Sequence, residues 1–257
     1  MPRESRRKSP SGIYHIMMRG INRDPIFHED EDRRHFLSLL SHTRLPDAFD
    51  LYAYCLMVNH VHLLIRERTD DISRTMKRIN SRYVSWYNTK YDRIGPLFQG
   101  RFKSLNIEDD RYLLSVLRYI HLNPVKANLV ESPEDYFWSS CRKYYAAAEE
   151  PSDLLNLCFI LDLFDEHSAT AIERLKLFTL QPNTDKIPDY EDCARISDDK
   201  LRKEILTLLN GKPLSAIQYL GRKDRGTLLQ KIKSIEGATQ RQIARVLNLA
   251  PSIIFKT

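Results

Sequence analysis

The sequence predicts an α+β protein: a ferredoxin-like antiparallel sheet with helices, followed by an all-helical C-terminal unit. One observation predicts the first part and two the second. Runs with a period of two and runs with a period near 3.6 succeed one another in the order β-α-β-β-α-β, and a further helix follows. Glu149-Glu-Pro-Ser-Asp and then Gln181 to Asp192 bracket a helical stretch from Leu154 to Leu180, as a boundary and an acidic linker would. From Ser197 onward the segments are helical.

In order, Gly12 to Arg19 reads as a strand, Glu31 to Ser41 as a helix, and Asp50 to Met57 with His60 to Glu67 as two strands across a short break. Ile72 to Tyr91 is a long basic helix, and Leu97 to Ile107 a strand. Leu113, Leu114, Leu117 and Ile120 then recur at helical spacing behind an N-cap at Asp109 or Asp110, and Pro124 is expected to stop this helix. In the tail, Lys200 to Leu209, Gly226 to Ser234 and Thr239 to Leu247 are helical. Thr239 to Leu249 looks like the first helix and turn of a helix-turn-helix whose second helix starts near Pro251 and is short, since the chain stops at Thr257. The alternative is a small helical bundle that helps packing or dimerisation.

With 257 residues, 42% of them hydrophobic, the chain buries one main domain and an appendage. No apolar run is long enough for a membrane helix, and Met1-Pro-Arg-Glu-Ser-Arg-Arg-Lys lacks a signal peptide's apolar stretch, so no membrane association is expected. A net charge of +6 agrees with a polyanionic partner. Cys55, Cys141, Cys158 and Cys193 show no CxxC spacing, which fits a reducing cytoplasm.

His60 and His62, in Met57-Val-Asn-His-Val-His-Leu-Leu-Ile65, point to one face of a strand and suit one metal ion. Tyr119 and Asn123 stand at i and i+4, so a helix presents a phenol and an amide oxygen together. The proline after Asn123 leaves that side chain's orientation open. His121 falls about 200° round the helix from Tyr119 and reads as structural or DNA-facing. His15 is the rival ligand, but reads as a surface strand residue.

Met57-Val-Asn-His-Val-His-Leu-Leu, Gly95-Pro-Leu-Phe-Gln-Gly-Arg-Phe-Lys and Tyr119-Ile-His-Leu-Asn-Pro-Val-Lys-Ala, taken together, resemble the IS200-type single-tyrosine (Y1) HUH transposases, especially the REP-associated subgroup. The resemblance covers roughly residues 12 to 145. It implies an HUH endonuclease core in which His60, His62 and Asn123 hold Mg²⁺ or Mn²⁺ and Tyr119 attacks a DNA phosphodiester to give a 5′-phosphotyrosine. On this reading residues 1–148 are the catalytic domain, 149–196 a helical connector and linker, and 197–257 a helix-turn-helix-like DNA-binding tail. A monomer and a homodimer are both compatible with it.

From Ile72 to Ser104 the basic residues Arg74, Lys77, Arg78, Arg82, Lys90, Arg93, Arg101 and Lys103 are opposed by one acid, Asp92, and interleaved with aromatics. This is a composition for single-stranded or hairpin DNA, with cations on phosphates and exposed rings on bases. Arg74, Lys77, Arg78, Arg82, Arg101 and Lys103 are the DNA-binding candidates. At least half of the aromatics are expected inside, because Ile79, Tyr83, Trp86 and Tyr87 fall at core spacing. The function expected is a metal-dependent single-stranded DNA endonuclease and strand transferase in transposition or mobilisation of repeated DNA. Two other readings are a domesticated DNA-binding regulator with little catalytic use and a metal-independent RNA-binding module.

Overall fold

Four extended runs, β1 (Ile13–Arg19), β2 (Phe49–Leu56), β3 (His60–Glu67) and β4 (Lys103–Ile107), form one antiparallel sheet in the order β2-β3-β1-β4. In this computed structural model the residues described are 8–44, 47–147, 152–182, 186–188, 198–209, 211–235, 238, 240–250 and 253–254. The chain divides into two units, 1–190 and 191–257.

Helix α1 (Asp30–Arg44) joins β1 to β2, and α2 (Ile72–Lys90), capped by the Asp71 carboxylate on the Ser73 amide, joins β3 to β4. Each links two parallel strands of the sheet. Right-handed crossovers therefore put both helices on one face, where they pack on each other. Helix α3 (Asp110–Lys126) packs on β2, β3 and β4 from the other face. The fold is thus the α+β, ferredoxin-like antiparallel sheet that the periodicity predicts.

Two local expectations give way. The strand expected over 97–107 begins only at Lys103, because Gly100 takes a φ of 78° and breaks the extension. Leu97 to Phe102 instead forms a loop beside the end of β1, with the Ile21 amide bonded to the Leu97 carbonyl at 2.9 Å and the Gln99 amide to the Arg19 carbonyl at 2.8 Å. Pro124 does not stop α3, which runs on to Lys126. A proline this close to the end removes one backbone bond, while the Ala127 amide still reaches the Asn123 carbonyl at 3.0 Å.

Beyond α3, the short helices α4 (Cys141–Tyr145) and α5 (Leu157–Leu161) and the longer α6 (Ser168–Leu180) complete the first unit. The stretch expected to be a separate connector packs into the first unit's core. Phe159 stacks on Tyr52 at 4.7 Å between ring centroids, and the Asn156 amide bonds the Leu51 carbonyl at 2.9 Å. Ile160, Ala171 and Leu175 are fully buried, so α5 and α6 bury apolar faces that a linker would expose. Most of the acidic segment from 181 to 192 lies outside the described residues.

The second unit holds α7 (Asp198–Leu208), α8 (Arg222–Lys233) and α9 (Gln240–Val246), around Leu201, Ile205, Ile217, Leu229, Ile232, Ile243 and Ile254. It is helical, with its own core. Residues 251 and 252, where a recognition helix would begin, lie outside the described residues. Among the described residues no helix is long and apolar enough to cross a membrane.

Candidate metal and nucleophile site

Strand alternation sets the site. His60 lies opposite Arg19, and His62 lies between Met17 of β1 and Cys55 of β2, so all five share the face that meets α3. On α3, the Asp109 carboxylate caps the first turn through the Tyr112 amide at 2.8 Å, and Leu113, Val116, Leu117 and Ile120 bury the apolar stripe. That register brings Tyr119 and Asn123 over the histidines.

His60 Nε2 lies 3.1 Å from Asn123 Oδ1, and Asn123 Nδ2 lies 3.4 Å from His62 Nε2. The Tyr119 ring stands edge-on to His62, 5.5 Å between centroids. Tyr119 and Asn123 are each only 8% exposed. The four residues named from sequence are therefore in one place.

Asn59 donates its amide hydrogen to the Arg23 carbonyl at 3.0 Å, which turns Asn59 Oδ1 toward His60 Nδ1 at 2.8 Å. Both ring nitrogens of His60 thus face amide oxygens, and Nε2 lies 3.1 Å from Asn123 Oδ1. A neutral imidazole has one N–H, so one of these two contacts brings two acceptors together unless a cation or a second proton lies between them. Burial, followed by the neighbouring His15, His60 and Arg19, holds His62 well below the usual imidazole range, so it stays neutral with one nitrogen lone pair available. Two neutral imidazoles and an amide oxygen fit a divalent metal with open positions. Among the described residues no cluster of three His, Cys, Asp or Glu side chains is placed to hold a metal, and the set here is completed by an amide.

His15 is not the surface strand residue expected from its sequence context. It is fully buried, with Nε2 3.0 Å from His62 Nδ1 and its ring 5.9 Å from that of Tyr119. It holds the ring of His62, one of the two histidines expected from sequence to bind a metal, in orientation. The signal was present in the parity of β1, where His15, Met17 and Arg19 share a face. His121 is structural: it is buried, bonds Ser140 Oγ at 2.9 Å, and has its pKa pushed down to about 3 by burial. Arg118, next to the tyrosine, donates to the Phe178 carbonyl at 3.1 Å and so ties α3 to α6.

Lys126, one turn past Asn123, places Nζ 4.7 Å from the centroid of the Tyr119 ring. Of the residues predicted to bind DNA, Arg74, Lys77, Arg78 and Arg82 are exposed on α2, on the sheet face opposite the tyrosine helix. Arg78 is paired with Asp70, and Arg74 lies 3.9 Å from the same carboxylate. Arg101 is exposed in the loop beside Arg19, and Lys103, opposite Met17, is on the site's face. The interleaved rings are packed: Tyr83, Tyr87, Phe98 and Phe102 are buried, and Trp86 stacks on His35 at 4.1 Å.

Residues 8–123, which hold the sheet and all four site residues, match the family described as "Transposase IS200 like". Over 116 residues, 41% of this chain and 66% of the other, the chain is 28% identical to a Haemophilus influenzae protein named "Putative REP-associated tyrosine transposase". The match thus spans just under two thirds of that relative's length. A solved structure of a REP-associated tyrosine transposase bound to a REP hairpin is 21% identical, with a TM-score of 0.48, over 59% of this chain and 89% of that one.

Proposed function

We propose that the first unit is a metal-dependent single-stranded DNA endonuclease and strand transferase, acting in transposition or mobilisation of repeated DNA elements. Single-stranded or hairpin DNA is its partner. The observation that carries this reading is the convergence of His60 Nε2 and Asn123 Oδ1, 3.1 Å apart, with His62 beside Tyr119. Mg²⁺ or Mn²⁺ held by His60, His62 and Asn123 would polarise the scissile phosphate and stabilise the charge that develops on it.

Tyr119 Oη attacks phosphorus, the bond from phosphorus to the 3′-oxygen breaks, and a 5′-phosphotyrosine and a 3′-hydroxyl result. The phenol proton leaves to solvent and the 3′-oxygen takes one from solvent. Because the phosphodiester energy is kept in the tyrosine ester, the strand can be rejoined without a nucleotide cofactor. Asn59 and His15 hold the two imidazoles in orientation, and burial of Tyr119 restricts water's access to the ester.

The test is a denaturing gel of purified protein with labelled hairpins from repeats flanking its gene, with Mg²⁺, Mn²⁺ or chelator. A metal-dependent covalent band, absent in Tyr119→Phe and His60→Ala, is expected. Tight binding with neither adduct nor cut strand would move the function to DNA-binding regulation.

A further inference from the structure

We propose that Lys126 and Arg19 form a two-cation clamp on the phosphate that Tyr119 attacks, a role that rests on the strand-transfer reading above. Tyr119, Asn123 and Lys126 stand at i, i+4 and i+7 on α3, so the ammonium is on the nucleophile's own stripe. Its Nζ lies 4.7 Å from the Tyr119 ring centroid, and the residue is exposed at the rim of the site. Arg19 approaches from the sheet. It is the direct cross-strand partner of His60, on the same face, and is only 8% exposed.

The two cations thus come from different layers, one from the helix and one from the sheet, on the face that holds His60, Asn123 and Tyr119. A phosphodiester entering there carries one negative charge, and attack by the phenol oxygen adds charge to its non-bridging oxygens. Preorganised cations at that position stabilise the transition state more than the ground state. The bland alternative for Lys126 is compensation of the helix dipole at the end of α3, a role any cation there would fill.

The test uses the full chain and a labelled flanking-repeat hairpin in single-turnover cleavage. Lys126→Gln should slow cleavage by about 10²-fold, the scale of removing one oxyanion donor, with hairpin affinity changed only a few-fold. Lys126→Arg should recover most of the rate. A hairpin with a neutral methylphosphonate at the scissile position should shrink the difference between wild type and Lys126→Gln. Arg19→Lys, which keeps a cation in the buried position, should slow cleavage less than Arg19→Gln, with both checked for folding by thermal melting. Wild-type adduct formation with Lys126→Gln cleaving as fast as wild type overturns the clamp and leaves the strand-transfer reading standing. No adduct from wild type overturns both.

Discussion

Gly20→Ala tests how the fold holds His60 without touching it. A Cβ built on Gly20 would lie 2.1 Å from the Asp24 carbonyl oxygen, where real contacts do not fall below 3.0 Å, so the backbone must move by about 0.9 Å. The segment that must move is the tight turn over Ile21–Arg23, whose Asn22 and Arg23 already sit at φ of 52° and 65°. The Arg23 carbonyl accepts from Asn59, and Asn59 orients His60. A misplacement near 1 Å at a reacting centre lowers rate by about 10²-fold. Overpacking of this kind destabilises by about 1–3 kcal/mol. The assay is single-turnover hairpin cleavage at a temperature where melting shows the variant folded. A folded Gly20→Ala protein that cleaves within about threefold of wild type would refute the chain from turn to Asn59 to His60.

His15→Ala leaves the buried His62 Nδ1 without its 3.0 Å partner, which should cost about 1–3 kcal/mol in a melt and 10- to 100-fold in metal affinity by calorimetry; His15→Gln, able to accept from Nδ1, should recover part of both. Asp32 is fully buried; burial alone would raise its pKa, but hydrogen bonds from Lys90, the Glu29 amide, Tyr91 and the His28 amide outweigh it and hold the carboxyl below its ordinary 3.8. Its stabilising effect is therefore complete above about pH 4 and is lost as pH falls through the depressed value, so acid denaturation of Asp32→Asn should show a shallower slope in that window than wild type. Leu175→Ala on α6 should destabilise the first unit by about 2–5 kcal/mol in denaturant unfolding, because α6 is part of that unit's core; an unchanged midpoint would return α6 to the role of a connector.

Where the determinant was a short period, the fold and site were legible in the sequence. Alternation put His60 and His62 on one strand face, and the i,i+4 rule put Asn123 under Tyr119; the structure has both. The order of periodic runs likewise delivered the sheet and its two crossover helices. What was not legible depended on contacts far apart in the chain. His15 was discounted because one strand read alone does not show which of its faces is covered, yet α3 covers the face it shares with Arg19. The strand expected from Leu97 failed at Gly100, whose positive φ a polar loop adopts freely. Pro124 has the sequence look of a stop, although a proline in a last turn removes one bond and leaves the turn intact. Charge clustering along α2 was visible, but not that the helix's face lies across the sheet from the tyrosine. Helices α5 and α6 looked like a connector because acidic, proline-bearing stretches flank them, while Phe159 and Leu175 reach back to the first unit's core.

The central claim is that Tyr119 becomes covalently joined to DNA at a site that needs a cation between His60 and Asn123. The most direct measurement is peptide mapping by mass spectrometry of the product formed with a flanking-repeat hairpin in Mn²⁺ and in chelator. The account predicts a nucleotide phosphate mass on the peptide containing Tyr119 in Mn²⁺ and none in chelator. A modification on another residue, or a Tyr119 adduct of equal yield in chelator, would contradict it.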